Sequence, residues 1–398
     1  MSVRRARSAS LALVVLAAAL AVATGAARAG NDAGAVLSPA GFLIVDEPSP
    51  VPASDGRNHL AYEILVTNQS SLDVTPLRVQ ALARGRPIGA PVRGDDFAAV
   101  MRINGGVDGV TIPAGGSATI FADVAYGEGR AAPRRLTHRV VLEGVSAEEP
   151  DESQRFEFRG IPVAVSSRRA VVVEPPLRGS GWVVGNGCCS PPNAHRGATL
   201  SIDGTVHVPE RFAIDFVQLD DQNRLFAGPI DENESYFGFG RPVRSATGGK
   251  VVRTRDGLPE QVPGSLPEGQ TVQTAGGNHI VVAMGAGRYA FYAHLQPGSL
   301  RVGKGDRVRP GEVIGLLGNT GNTDAAHLHF HVMDSPSPLQ SNGLPFVFSR
   351  MRGEGLITNP TVLPTGAPVS IDRAAFAGVR HDQMPLDNQV VRFAGRGR

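Results

Sequence analysis

Cysteine and lysine are both scarce in this sequence of 398 residues. The two cysteines, Cys188 and Cys189, are adjacent, and a bond between neighbours closes no loop that could stabilise a fold. A disulfide framework is therefore excluded. The pair forms either a local vicinal disulfide or two thiols in a tight turn, and local loop structure is favoured over metal binding. Lysine is limited to Lys250 and Lys304, so nearly all of the positive charge is arginine.

An excess of charge of one sign is also missing. The formal net charge is +2, and the first 29 residues contribute Arg4, Arg5, Arg7 and Arg28 without any acid. The rest of the chain therefore carries 2 − 4 = −2. Proteins that bind nucleic acid usually present a basic surface that neutralises phosphates, so we expect no nucleic-acid partner.

A long apolar run occurs near the N-terminus, from Leu11 to Ala23. It follows three arginines and precedes Ala27-Arg28-Ala29, which has the small residues of a cleavage site. The run is short for a membrane span, which needs about 20 residues. We therefore predict a signal peptide over residues 1–29 and a secreted or periplasmic mature chain that has no stable membrane span.

Glycine and proline are abundant, at 49 and 30 residues, which is typical of many turns and short strands. We therefore predict an all-β protein. Alternating apolar runs separated by polar turns predict an immunoglobulin-like β-sandwich over residues 30–172, whose role the sequence leaves open. Residues 173–182 have the composition of a linker. Residues 183–346 are predicted to form a second β domain, and residues 347–398 a C-terminal extension that packs back on it.

Histidine usage changes after the predicted linker, since seven of the ten histidines lie between residues 195 and 331. The densest stretch is His327-Leu328-His329-Phe330-His331-Val332. Alternate side chains of a β-strand share a face, so the three imidazoles are expected on one side and the apolar residues in a core. Such crowding indicates a metal site or an acid-base site.

Several short motifs surround this strand in a fixed order. They are Tyr292-Ala293-His294-Leu295, Gly305-Asp306, Gly311 to Gly315, Gly318 to Gly321 and His327 to Phe330. This order resembles the lysostaphin-type zinc metallopeptidases, also called LytM-type, which cleave peptide cross-links of bacterial cell walls. The resemblance covers about residues 240–333. It implies a lysostaphin-type β catalytic domain with one Zn²⁺ per chain.

The resemblance also implies roles for single residues. His329 corresponds to a zinc ligand, while His327 and His294 correspond to the histidines that act on water and on the tetrahedral intermediate. The segment from Phe212 to Phe216 matches the family's segment around an aspartate ligand, so Asp215 is a second expected ligand. His331 stands where the family usually has an acidic or amide-bearing residue, and its role is open.

The resemblance fails at one ligand position. The family has histidine four residues before its aspartate, whereas this sequence has Arg211, whose guanidinium stays protonated and does not bind zinc. Asp203-Gly204 is a strong signal for a two-residue hairpin turn. A regular ladder extended outward from that turn places His195 opposite Phe212, beside position 211. We therefore expect His195 to supply the missing ligand, and we consider His207 and His279 weaker candidates.

Three residues are thus expected to hold one zinc ion: His195, Asp215 and His329. The preferred function is a secreted zinc-dependent endopeptidase that hydrolyses peptidoglycan cross-links. Arg211 supports an alternative, a catalytically degenerate protein that binds cell-wall peptides or regulates another hydrolase. By default, however, this arginine is expected to pair with Asp220 or Asp221 on the surface. A third hypothesis, an adhesion protein built on the first domain, is ranked last because it does not explain the crowded histidines. The sequence does not determine which peptide bond is cleaved or the oligomeric state.

Overall fold

The computed structural model describes residues 36–189 and 192–394. The predicted signal peptide, residues 1–29, lies outside the described residues. All elements named below belong to one compact unit, Ser38–Arg398. Strands make up 47% and helices 4% of the structure, which confirms the predicted all-β class.

Two antiparallel sheets of five strands each form the first part of this unit. Their strands are β1 (Ala40–Ile44), β2 (Pro50–Pro52), β3 (Arg57–Asn68), β4 (Leu72–Ala83), β5 (Arg86–Pro87), β6 (Val92–Arg93), β7 (Met101–Ile103), β8 (Ser117–Gly127), β9 (Arg135–Ser146) and β10 (Ser153–Ala164). The strand orders are β1-β3-β8-β7, with β2 on β3, and β10-β9-β4-β5, with β6 on β4. One core joins the two sheets, since Tyr62 and Ile120 of the first pack with Val79 and Val140 of the second. The immunoglobulin type of this sandwich stays a prediction.

A sheet of eleven strands dominates the second part. The strands of this part are β11 (Val171–Val173), β12 (Gly179–Gly185), β13 (Leu200–Ile202), β14 (Thr205–His207), β15 (Ile214–Gln218), β16 (Pro242–Arg244), β17 (Gly249–Arg255), β18 (Asn278–Gly285), β19 (Arg288–Leu295), β20 (Arg307–Val308), β21 (Val313–Leu316), β22 (Leu328–Met333), β23 (Gly343–Leu344), β24 (Phe346–Phe348), β25 (Met351–Ile357), β26 (Ile371–Arg380) and β27 (Gln389–Phe393). The large sheet has the order β20-β17-β18-β19-β22-β15-β12-β27-β25-β26, with β23 on β22. The pairs β13-β14 and β16-β21 are antiparallel, and β11-β24 is parallel.

Helices are few and short. The described residues form one α-helix, α1 (Phe97–Val100), and three 3-10 helices, Gly94–Asp96, Asn233–Ser235 and Pro360–Thr365. A search of the described residues finds no helix with the length and apolar character that a membrane crossing requires.

The alternation of β22 determines which side of the large sheet carries the polar site. Leu328, Phe330 and Val332 have no exposed surface and lie in the main hydrophobic core. This confirms the prediction that they face a core. Because side chains of a strand alternate, His329 and His331 point to the opposite face of the sheet.

The predicted linker and C-terminal extension are both part of this sheet. Residues 173–182 include the start of β12, and Trp182 is only 1% exposed. β27, from the C-terminal extension, pairs with β12. Val51 and Ala61 of the first part lie in the same hydrophobic core as Trp182, so the two parts are packed together. The domain boundaries derived from the sequence stay a prediction.

Candidate metal centre

Strand pairing brings two of the expected ligands face to face. β15 lies between β12 and β22, and Asp215 is paired with Gly185 on one side and with His329 on the other. Ile214 and Phe216 are buried in the core, so the Asp215 side chain points to the same face as His329. His329 Nδ1 lies 3.0 Å from Asp215 Oδ1.

His195 reaches the same carboxylate from a turn. The hairpin β13-β14 has the predicted register, with Ile202 opposite Thr205, but its ladder ends at Leu200 and His207. His195 lies beyond the ladder, in the turn over residues 194–197. Its Nε2 is 3.1 Å from Asp215 Oδ2.

The orientation of the His195 ring follows from two carbonyl groups. Its Nδ1 lies 2.9 Å from the carbonyl oxygen of Asn186 and 3.1 Å from that of Ala213. A carbonyl oxygen only accepts hydrogen bonds, so Nδ1 carries the proton and donates it. Nε2 is therefore the atom that His195 directs toward Asp215.

These three side chains form a compact donor set. One nitrogen of His195, one nitrogen of His329 and a carboxylate oxygen of Asp215 all lie within 4.8 Å of one another. Two imidazoles and a carboxylate suit Zn²⁺, and a catalytic zinc site commonly has three protein ligands. A second group, His59, Asp123 and Cys189, has a similar spacing. Cys189 is bonded to Cys188 in a vicinal disulfide, so this second group has no free thiolate.

His294 and His327 lie against this set with their rings 4.5 Å apart. His294 Nδ1 is 2.6 Å from the carbonyl oxygen of Thr320, and His327 Nδ1 is 2.8 Å from that of Ala325. In both residues Nδ1 therefore donates, so Nε2 carries the lone pair when the ring is neutral. His327 Nε2 lies 3.3 Å from Asp215 Oδ1, inside the site.

The backbone of His294 is in an unusual conformation. Its φ of +62° lies in the left-handed region, which a residue with a Cβ rarely adopts. Such strain costs about 1–3 kcal/mol and often accompanies functional positions. At the end of β19, this φ goes together with a hydrogen bond from the His294 N–H to the carbonyl oxygen of Gly276, at 3.3 Å. Gly276 belongs to the loop between β17 and β18, which begins at Asp256, so this loop borders the site.

Burial and charge set the protonation of the site. Burial raises the pKa of Asp215, but His195 and His327 outweigh it and hold this pKa well below its ordinary value. Burial lowers the pKa of His195, yet the Asp215 carboxylate outweighs it and raises the pKa to about 9. Burial, together with the neighbouring His327 and His329, holds the pKa of His294 well below its usual range. His294 is therefore neutral at pH 7.

The remaining histidines differ in their relation to the site. His331 Nδ1 is 2.9 Å from His329 Nε2, so His331 contacts the far side of an expected ligand. His279 is buried against Phe291 at the start of β18, with its Nδ1 2.9 Å from the carbonyl oxygen of Gly277. His207 ends β14 and is partly exposed. Neither His279 nor His207 belongs to the three-residue donor set.

Arg211 does not lie on the surface, so the expected pairing with Asp220 or Asp221 is wrong. Asp220 pairs with Arg224 at 2.7 Å. Arg211 is 3% exposed and points to the first part of the unit, where its Nη2 lies 2.5 Å from Glu63 Oε2. The cause is burial, since a charged side chain inside a protein requires a charged partner there.

Sequence reasoning also missed Asn186. Its Nδ2 donates to Asp215 Oδ2 at 2.9 Å, and its carbonyl oxygen accepts from His195. It therefore orients two of the three expected ligands. The only local signal is Gly185-Asn186-Gly187 directly after a strand, which marks a turn but not a site.

Comparison with known proteins places a family domain over the histidine-rich strands. Residues 236–341 match the family model described as Peptidase family M23. The chain contains a peptidase M23 domain. The resemblance to lysostaphin-type peptidases is thereby confirmed for this domain, while the matched residues include His294, His327 and His329 but neither His195 nor Asp215.

Two curated relatives and one solved structure illustrate the similarity of the M23 domain. The glycyl-glycine endopeptidase ALE-1 of Staphylococcus capitis is 31% identical over 121 residues, which are 30% of this chain and 29% of the relative. The peptidoglycan DD-endopeptidase ShyA of Vibrio cholerae is 30% identical over 102 residues, 26% of this chain and 20% of the relative. The catalytic domain of lysostaphin from Staphylococcus simulans aligns with 24% identity and a TM-score of 0.23, covering 42% of this chain and 88% of that one. The chain thus spans less than a third of the length of these two curated relatives.

Proposed function

We propose that this chain is a zinc-dependent endopeptidase that hydrolyses peptide bonds of peptidoglycan outside the cytoplasm. The observation that carries the proposal is the convergence of one ring nitrogen of His195, one ring nitrogen of His329 and a carboxylate oxygen of Asp215 within 4.8 Å. The M23 domain supports the same activity, because the similar proteins are named as endopeptidases and one is named for peptidoglycan.

The donor set fits the metal that the family implies. His195, Asp215 and His329 would hold one zinc ion and leave a coordination position for water or substrate. Bound there, zinc polarises the scissile carbonyl and lowers the pKa of water toward about 7.

His327 is the proposed general base. Its Nε2 carries the lone pair and points into the site, because its Nδ1 donates to the carbonyl of Ala325. Burial lowers the pKa of His327, but the nearby Asp215 carboxylate outweighs it and raises this pKa. A raised pKa makes the imidazole a better proton acceptor, and the protonated ring can then deliver the proton to the leaving amine.

His294 is proposed to act with His327 on the tetrahedral intermediate. Its Nδ1 is fixed on the carbonyl of Thr320, so its Nε2 is directed by a short hydrogen bond rather than by a flexible side chain. The ring centres of His294 and His327 are 4.5 Å apart, and the neutral His294 carries its lone pair on Nε2. His294 can therefore accept a hydrogen bond from water, or from the hydroxyl group that water contributes to the intermediate, while His327 takes up and transfers the proton.

Hydrolysis of purified peptidoglycan peptides by the full mature chain tests the proposal. We expect cleavage that a chelator abolishes and added zinc restores. His207→Ala is the matched control, because His207 is partly exposed on β14 and outside the donor set, and it should keep full activity. Cleavage that persists in chelator would contradict the proposal. Binding of wall peptides without cleavage, unchanged by chelator, would favour the degenerate binding protein.

A further inference from the structure

The first part of the unit contributes a buried acid that holds two arginines of the second part. Glu63, on β3, has no exposed surface. Its Oε2 lies 2.9 Å from Arg211 Nε, and its Oε1 lies 3.2 Å from Arg196 Nη1. Burial raises the pKa of Glu63, but the two arginines outweigh it and lower this pKa, so the carboxylate is ionised. A buried charge of this kind is stable only with such partners.

Arg196 ties the turn that carries His195 to the sandwich. In addition to its ion pair with Glu63, its guanidinium donates to the carbonyl oxygen of Ala122 on β8 at 3.2 Å and lies 5.9 Å from the centre of the Phe121 ring. Arg196 directly follows His195 in the chain. The position of the expected ligand is therefore coupled to the position of the sandwich.

Arg211 links a second segment that contacts His195 to the same acid. It lies two residues before Ala213, whose carbonyl oxygen accepts the Nδ1 hydrogen bond of His195 at 3.1 Å. The same Glu63 carboxylate thus fixes both the turn that carries His195 and the segment that orients its ring. Asp46, which lies 3.3 Å from Arg211 Nη1, completes the cluster at its half-exposed side.

We propose that Glu63 is a positioning residue of the metal site and that the sandwich is therefore part of the zinc-binding apparatus. This inference rests on the proposed function, since it concerns the affinity of the proposed ligands for zinc. Groups that orient metal ligands typically change metal affinity by about 10–100-fold when they are replaced. We expect Glu63→Gln to weaken zinc binding by at least about 10-fold.

Competition between the full mature chain and a chromogenic chelator measures the zinc dissociation constant directly. Glu157→Gln is the matched control, because it also removes a carboxylate of the sandwich, one that pairs with Arg139 at the surface at 2.6 Å. The control should bind zinc like the wild type. Glu63→Asp keeps the charge but is one methylene shorter, so its affinity should lie between those of the wild type and Glu63→Gln.

Thermal unfolding distinguishes a role of Glu63 in positioning the zinc ligands from a role in stabilising the fold. If Glu63 only stabilises the fold, the folded Glu63→Gln protein melts earlier but keeps the wild-type zinc affinity, which overturns the inference. If Glu63→Gln does not fold, Glu63→Asp decides by the same measurement. Absence of zinc binding in the wild type overturns the proposed function. Zinc binding in the wild type, with unchanged affinity in a folded Glu63 variant, overturns only the role of Glu63.

A second, independent feature is an arginine-lined cavity of about 430 Å³ among the C-terminal strands. Its basic lining residues are Arg178, Arg350, Arg352 and Arg392. Glu174 is the acid among the lining residues. Arg352 and Arg392 stand directly opposite each other on β25 and β27, and like charges in such a cross-strand pair destabilise a sheet.

Arg392 differs from Arg350 and Arg352 in its ion pairing. Glu354 pairs with Arg392 at 2.8 Å. Within residues 36–189 and 192–394, no acidic side chain forms an ion pair with Arg350 or Arg352. Arginine guanidinium groups bind phosphate in a fork of two parallel hydrogen bonds. We propose that this cavity binds a phosphate-bearing anion.

The single tryptophan of the chain provides the assay. Trp182 Nε1 donates to the backbone carbonyl of Arg178, which lines the cavity, at 2.9 Å. Titration of the full mature chain with pyrophosphate should change tryptophan fluorescence saturably, and Arg350→Gln with Arg352→Gln should weaken the response at least about 10-fold. Arg155→Gln with Arg159→Gln, two exposed residues of β10, is the control and should respond like the wild type. No saturable fluorescence change or heat of binding in the wild type, or an equal response in the Arg350 and Arg352 double variant, overturns the proposal.

Discussion

Replacement of Arg211 by histidine gives this chain the residue that the lysostaphin-type family has at that position. The sequence pattern alone suggests that Arg211→His should create or strengthen a zinc site. The structure leads to the opposite expectation. The Arg211 side chain is directed toward Glu63, and His195 Nε2 already lies 3.1 Å from Asp215. Arg211→His should therefore bind zinc no more tightly than the wild type.

The same substitution should cost stability. Glu63 has a side-chain exposure of 0% and Arg211 of 2%, so the pair is fully buried. Removal of one partner of a buried ion pair costs about 3–5 kcal/mol. Because Arg196 still pairs with Glu63 in this variant, we expect a loss of stability at the lower end of this range, about 3 kcal/mol. At about 2 °C per kcal/mol for a unit of this size, the melting temperature should fall by about 6 °C.

The decisive assay compares zinc content and melting temperature in four proteins: wild type, His195→Ala, Arg211→His and the double variant. His195→Ala should lose most of its zinc, and Arg211→His should not restore it. Recovery of wild-type zinc content in the double variant would show that position 211 still faces the metal, and the reasoning would be refuted. An unchanged melting temperature for Arg211→His would refute the energetic part alone.

Other predictions concern single residues. His327→Ala should keep its zinc and lose peptide hydrolysis, as measured by metal analysis beside a turnover assay; persistent turnover contradicts its role as base. Asn186→Ala removes a donor to Asp215 and should weaken zinc binding by about 10-fold in a chelator competition. Burial raises the pKa of Glu260 to about 7, above its ordinary 4.5. Its charge therefore opposes folding, and stability is lost as the pH rises from 4.5 through 7. Glu260→Gln should raise the melting temperature at pH 8 and leave it nearly unchanged at pH 4; an equal shift at both pH values would exclude titration as the cause.

Local patterns in the sequence were sufficient to predict several structural features of the site. The alternation of β22 predicted which residues face the core, and Asp203-Gly204 predicted the register of β13 and β14. Both follow from geometry over a few residues, where side-chain direction and turn type are set locally. The sequence predicted that an extended β13-β14 ladder would place His195 at the site. In the structure this ladder ends before His195, and His195 lies in a turn instead.

Partners that are distant in the sequence were not predictable in this way. Arg211 and Glu63 are separated by 148 positions, and neither residue carries a local signal of the other. Charged residues are mostly exposed in proteins, so each of the two is expected on the surface from the sequence alone, and only the packing of the sandwich buries the pair. The pairing of β12 with β27 was missed for the same reason, since glycine and serine around Gly179 have linker composition.

The place of β27 affects the order in which the chain can fold. β12 lies between β15 and β27, and its last residue precedes Asn186, which orients two of the expected ligands. β27 consists of residues 389–393, far beyond β12 (Gly179–Gly185) along the chain. Until these residues emerge from the ribosome or an export channel, the N–H and C=O groups along one side of β12 have no strand partner. The large sheet, and with it the surroundings of His195 and Asp215, is therefore completed only when β27 has paired with β12.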